Sequence, residues 1–162
     1  MPSARSRHLF VLAGSLAMLA LSASIYLEKI VMLRPCSLCL VQRGCVALIA
    51  LACALARLHR PSLAGIRAYA AGALVLACIG AASATRQIWM QLQTSLSALM
   101  CYPNLFHSGQ SQPLLETLKM YALGSPDCGI INWTLLDMSL PEWSLLVFAG
   151  LGMISLIQLF ER

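Results

Sequence analysis

The chain has 162 residues, of which 59% are hydrophobic and only 10% charged, with a formal net charge of +5. Soluble globular domains carry about a quarter charged residues, so this composition argues against a soluble globule and for a membrane protein. The basic residues are spread over short segments rather than gathered on one folded face, which leaves a nucleic-acid role without support.

Four stretches approach the roughly 18 to 20 apolar residues that cross a hydrocarbon core of about 30 Å. The first runs from Leu9 to Leu27. Arg5 and Arg7 precede it and Leu21-Ser22-Ala23-Ser24 offers small residues, so a cleaved signal peptide is the alternative. Its apolar run is longer than a usual signal core, and further spans follow. The second, Leu40 to Leu58, carries Arg43 near its start and Arg57 near its end, both able to snorkel to an interface. The third, Ala68 to Thr85, and the fourth, Trp143 to Phe160, hold no charge. The expectation is an all-α membrane protein: one integral domain over residues 1–162, built as a four-transmembrane-helix bundle.

Charge orients the bundle, because segments rich in Lys and Arg stay cytoplasmic. Arg5, Arg7, Arg57, Arg60, Arg67 and Arg162 fall on one side against Glu161 alone. Lys29, Arg34, Arg43, Arg86 and Lys119 fall on the other against Glu28, Glu116, Asp127, Asp137 and Glu142. The net charge of +5 therefore sits on one face. Both termini are expected in the cytoplasm, with two loops outside, residues 28–39 and 86–142.

The longer outer loop must carry exposed function or a partner site. Pro103, Pro113, Pro126 and Pro141, with Gly109, Gly124 and Gly129, break it into short pieces. Leu114, Leu118 and Tyr121 have helical spacing, as do Ile131, Leu135 and Met138. Such pieces can lie in the membrane surface, where Tyr121, Trp133 and Trp143 suit the headgroup level, or can pack on each other above the bundle.

Seven cysteines divide by environment. Cys45, Cys53 and Cys78 fall inside spans, where Cys acts as a small apolar residue. Cys36, Cys39, Cys101 and Cys128 fall in or beside the outer loops, the oxidising side of a bacterial inner membrane, and an even number allows two disulfides. Cys36-Ser37-Leu38-Cys39 follows Pro35 and leads into the second span, so the motif is expected at a helix N-terminus, where unpaired N–H groups and the helix dipole stabilise a thiolate.

In a helix Cys36, Cys39 and Arg43 share one face. Arg43 could then stabilise a thiolate or the charge developing on the carbonyl oxygen of a bound acceptor; the plainer reading is a snorkelling anchor. C-x-x-C also occurs in zinc sites, but these commonly need a second such pair or two histidines, and His107 is the only histidine in the outer parts. His107 reads as a solvated loop residue. A bridge between Cys101 and Cys128 could simply tie down the long loop, or it could exchange with the nearby C-x-x-C.

At these residues the chain resembles the disulfide bond formation protein B (DsbB) family, quinone-linked thiol oxidases of bacterial inner membranes. The resemblance covers nearly the whole chain: four spans, the run Pro35-Cys36-Ser37-Leu38-Cys39-Leu40-Val41-Gln42-Arg43, the two long-loop cysteines, and Pro141-Glu142-Trp143 opening the last span. It implies that Cys101 and Cys128 take electrons from a reduced periplasmic thioredoxin-like oxidase of the disulfide bond formation protein A (DsbA) type. It implies further that Cys36 and Cys39 reduce bound quinone, ubiquinone or menaquinone, with Arg43 beside it. One departure stands out: where many relatives have a histidine shortly after the third span, Arg86-Gln87-Ile88-Trp89 puts Gln87. Two alternatives differ in class. A vitamin K epoxide reductase-like enzyme would usually carry its C-x-x-C late in the chain, and a non-enzymatic membrane scaffold would use both disulfides only as braces.

Overall fold

The computed structural model describes residues 4–32, 35–59, 61–97, 115, 121–122, 124, 126–129 and 133–160. Its frame is four long helices: α1 (Ala4–Lys29), α2 (Ser37–His59), α3 (Leu63–Ser97) and α4 (Leu140–Phe160). All four are long and apolar enough to cross a membrane. Each of α1 and α3 packs against both α2 and α4, which closes the four into a bundle.

Small side chains occupy the seam. Ala13, Ala17, Cys45, Cys53, Ala73 and Ala77 are buried, together with Ile49, Phe148 and Leu151. Helices in lipid associate through close packing rather than through a hydrophobic force, and small residues let their backbones approach. Gly80 is the sharpest instance: a Cβ there would overlap the ring of Phe148 from α4. The outward surface is apolar as well, with Leu12, Leu19, Leu48, Leu51, Val75, Ile79, Met153 and Phe160 exposed. A helix that is apolar all round is at home in a bilayer.

The helices outrun the hydropathy windows. α3 continues to Ser97 where the sequence suggests an end near Thr85. Hydropathy falls after Thr85 because Arg86, Gln87, Gln91 and Gln93 are polar, yet none of them breaks a helix. At about 1.5 Å per residue the 35-residue α3 spans roughly 50 Å, well beyond a hydrocarbon core. This extension holds Gln87 and Gln91 one turn apart, both buried against the bundle.

The helical spacing of Ile131, Leu135 and Met138 does not produce a helix. Thr134–Leu135 and Met138–Ser139 form a small antiparallel hairpin (β1 and β2), pairing Thr134 with Ser139 and Leu135 with Met138. Leu136 and Asp137 make its two-residue turn at φ of 55° and 60°. A turn with both central residues at positive φ matches strand twist, and three apolar points spaced i, i+4, i+7 are too few to outweigh it. Of the other helical piece, Leu115, Tyr121 and Ala122 are helical and exposed, and the rest lies outside the described residues. α4 starts at Leu140, where the Glu142 carboxylate reaches back to accept hydrogen bonds from the Ser139 N–H and, at 2.8 Å, its hydroxyl.

The Gly80 contact yields a direct test. Gly80→Val should lower stability by about 1 to 3 kcal/mol through overpacking against Phe148. Thermal unfolding in detergent, with Gly72→Val on an open stretch of the same helix as the control, reads the difference.

Candidate redox site at the outer end of the bundle

Pro35 stands just outside α2 rather than in its first turn, and Cys36 is the last residue before the helix. The Cys36 carbonyl accepts the Leu40 N–H at 3.1 Å, closing the first turn. One turn of helix brings the two sulfurs of the C-x-x-C together: the Cys36 thiol donates to Cys39 Sγ at 3.1 Å. That separation is about 1 Å longer than a disulfide bond, so little movement separates dithiol from disulfide.

Cys128 arrives from above. It sits in a 3-10 turn, Pro126–Gly129, that packs on α2 and α3. The chain reaches this turn through Gly124, whose φ is 88° and whose missing side chain leaves room for Leu38 and Met90. Only glycine suits both the left-handed backbone and the close approach. Cys128 is buried, with its sulfur 3.7 Å from the Ser37 hydroxyl, and it hydrogen-bonds with Cys36. The bond with Cys128, then the bond with Cys39, then burial push the Cys36 thiol well above its ordinary range, so Cys36 keeps its proton in this arrangement. Cys101 and His107 lie outside the described residues.

Two glutamines complete the surroundings of Cys39. Gln42 Nε2 donates to Gln87 Oε1 at 3.0 Å, and Gln87 Nε2 lies 3.4 Å from Cys39 Sγ as a donor. Arg43 is anchored to α1: Nε donates to Ser24 Oγ at 3.0 Å, Nη2 to the Ser24 carbonyl at 3.1 Å, and Nη1 pairs with the Glu28 carboxylate. It is thus an ion-paired, half-buried group rather than a freely snorkelling one. Cys45 and Cys53 are buried in the bundle seam and Cys78 faces outward.

Cys36, Cys39, Gln42, Arg43 and Gln87 open onto one cavity of about 540 Å³. Small-molecule sites run from about 300 to 1,000 Å³ with mostly apolar walls and a few convergent polar groups. Here the apolar walls come from α1 and α4, and Trp133, Leu135 and Trp143 close the outer side. Trp143 Nε1 donates to the Leu135 carbonyl at 3.1 Å, which ties the hairpin to α4. The two tryptophans therefore serve as walls, a use that residue type alone does not distinguish from headgroup anchoring. Sequence reasoning also passed over Glu28 and Ser24. A single acidic residue ending an apolar span, opposite an arginine just inside the next, is the signal that could have found the pair.

The family profile described as disulfide bond formation protein DsbB matches residues 5–158. The chain belongs to the disulfide bond formation protein B family. It is 40% identical over 159 residues to disulfide bond formation protein B of Stutzerimonas stutzeri, covering 98% of each chain. To disulfide bond formation protein B 1 of Pseudomonas aeruginosa it is 37% identical over 162 residues, covering 100% of this chain and 99% of the relative. A third relative, disulfide bond formation protein B 2 of Pseudomonas entomophila, is 44% identical over 144 residues, covering 89% and 83%. No solved structure gives a significant match. Membership in the disulfide bond formation protein B family, with the four apolar helices, makes this a multi-pass membrane protein with a role in disulfide formation.

The meeting of Cys36 with Cys128 makes a chemical prediction. In a Cys39→Ser, Cys101→Ser double variant, mild oxidation with diamide should join Cys36 to Cys128 by a disulfide, seen as a linked pair of peptides on non-reducing mapping. Failure of that link to form would mean that the two sulfurs do not meet.

Proposed function

We propose that this protein is a dithiol:quinone oxidoreductase of a bacterial inner membrane, reoxidising a periplasmic thioredoxin-like partner of the DsbA type and passing its electrons to quinone. Carrying the reading is one observation: a C-x-x-C dithiol opens onto an apolar cavity at the outer end of a membrane bundle and touches a third cysteine from the loop above.

The partner's thiolate attacks a disulfide between Cys101 and Cys128, and its second thiol completes the exchange, leaving the partner oxidised and the loop pair reduced. The loop thiols then reduce the Cys36–Cys39 disulfide through Cys128, the loop cysteine that lies against Cys36. Finally the Cys36 and Cys39 thiols give two electrons and two protons to quinone, forming the Cys36–Cys39 disulfide and quinol. The first two steps each exchange one disulfide for one dithiol, and in the last a disulfide forms as quinone takes up the two electrons and two protons, so every step balances.

The cavity fits a quinone headgroup by size and by wall chemistry, and its position at the membrane edge suits an acceptor dissolved in lipid. Arg43, fixed by Glu28 and Ser24, is the one cation among the described residues that line the cavity and supports the charge that develops on a quinone oxygen. A partner that is itself a strong oxidant needs an acceptor stronger still, and quinone is such an acceptor. The excess of positive charge at residues 5–7, 57–67 and 162 supports cytoplasmic termini and a periplasmic site.

In membranes supplied with reduced partner and quinone, Cys36→Ser and Cys101→Ser should each reduce quinone reduction by the partner at least about 100-fold. Arg43→Met should lower kcat/KM for quinone about tenfold or more, through loss of a charge-assisted contact of about 1.5 to 3 kcal/mol. Rapid turnover surviving Cys36→Ser would sink the reading. Both cysteine pairs remaining oxidised after quinone is depleted, with no partner trapped by any cysteine variant, would favour a scaffold with structural bridges.

A further inference from the structure

We infer that Gln87 is a positioning residue that holds the Cys39 sulfur as an electron donor by giving it an amide N–H, and that Gln42 fixes which way the Gln87 amide points. The inference rests on reading Cys36–Cys39 as the redox pair, and it concerns two side chains to which that reading assigns no part.

An amide side chain offers a carbonyl oxygen and an NH₂ group, and turning it over exchanges acceptor for donor. Gln87 Oε1 already accepts the Gln42 N–H at 3.0 Å. The same oxygen also lies 3.6 Å from Cys39 Sγ, but Nε2 is the nearer amide atom, at 3.4 Å, and is the one placed to donate to the sulfur. Gln42 and Gln87 are both 5% exposed, so bulk water does not compete for these bonds. The Cys36 thiol donates to the same sulfur from the other side at 3.1 Å. Two donors thus converge on Cys39 Sγ, an arrangement that favours a thiolate over a thiol there.

The covalent frame makes this placement specific. Gln42 lies three residues after Cys39 on α2, so the two share a helix face. Gln87 reaches both from the part of α3 that continues past the apolar stretch. Neither glutamine titrates, so the donor is present at every pH at which the protein folds. Among the described residues, the titratable or charged groups that act on Cys39 or share its cavity are Cys36, Cys128 of the 3-10 turn, Tyr26, and Arg43 with its partner Glu28. Of these, Arg43 is already committed to α1, which leaves the uncharged glutamine as the donor from α3.

The test is the alkylation rate of Cys39 in the full-length membrane protein carrying Cys36→Ser, followed by mass spectrometry with iodoacetamide as the probe. This reaction needs neither quinone nor partner, and only the thiolate reacts appreciably. Gln87→Met, close in size but without the donor, should slow alkylation about tenfold near pH 7 and leave it nearly unchanged near pH 10, where the sulfur is ionised regardless. Gln42→Met should slow it in the same direction by a smaller factor, and Gln87→Glu should slow it more than Gln87→Met does. Equal rates near pH 7, or a loss of the same size at both pH values, would overturn the role of Gln87. No change in Gln42→Met would overturn the orienting role. Were the alkylation pattern as expected while quinone reduction failed, the oxidoreductase reading would fall and this inference would stand.

Discussion

A polar side chain at the edge of a hydrocarbon core has to find its partners inside the protein, and in this bundle that demand is met by contacts between helices. Gln42 of α2 meets Gln87 of α3, and Arg43 of α2 meets Ser24 and Glu28 of α1. These bonds fix α2 against its two neighbours at the level where Cys36 and Cys39 stand. The seam below them is made of alanine, cysteine and a few larger apolar residues, and packing there carries no comparable direction. Removing a polar partner at the outer end would leave its counterpart buried and unsatisfied, whereas the seam tolerates swaps of similar volume.

The same constraint explains how a reactive dithiol coexists with a membrane helix. The first turn of α2 leaves backbone N–H groups without helical partners, and Cys36 caps that turn while Cys39 lies within it. A loop and a hairpin close over it: Gly124 lets one segment pass over Leu38 and Met90, and Trp143 pins the other to α4. The result is a cavity walled by apolar side chains yet floored by sulfur, amide and guanidinium groups. On the proposed reading, such a site receives a lipid-soluble acceptor from one side and a thiol from the other.

Much of this is written in the sequence in a legible form. Four uncharged or nearly uncharged runs give the bundle, and the spacing of Cys36, Cys39 and Arg43 puts three chemically active groups on one face of a helix. Other parts are not legible, for reasons of physics. Hydropathy ends α3 at its first polar residues because it measures burial in lipid, while a helix continues as long as its backbone bonds do. Whether a tryptophan anchors at a headgroup or walls a cavity depends on which segments fold over it. The hairpin at 134–139 was hidden behind three apolar residues at helical spacing, since the turn at Leu136 and Asp137 has no glycine to announce it. The nearness of Cys128 to Cys36 and Ser37 is a contact between residues about ninety positions apart, visible only once the loop is folded.

The central claim is that the Cys36–Cys39 dithiol hands its electrons directly to quinone. Its most direct measurement is a single turnover without air or partner: reduced protein carrying Cys101→Ser and Cys128→Ser is mixed with one equivalent of ubiquinone, and quinol and remaining thiols are counted together. The account predicts that each quinol formed is matched by the loss of the Cys36 and Cys39 thiols and by a new disulfide between them. Quinone left oxidised, with both thiols intact, would contradict it.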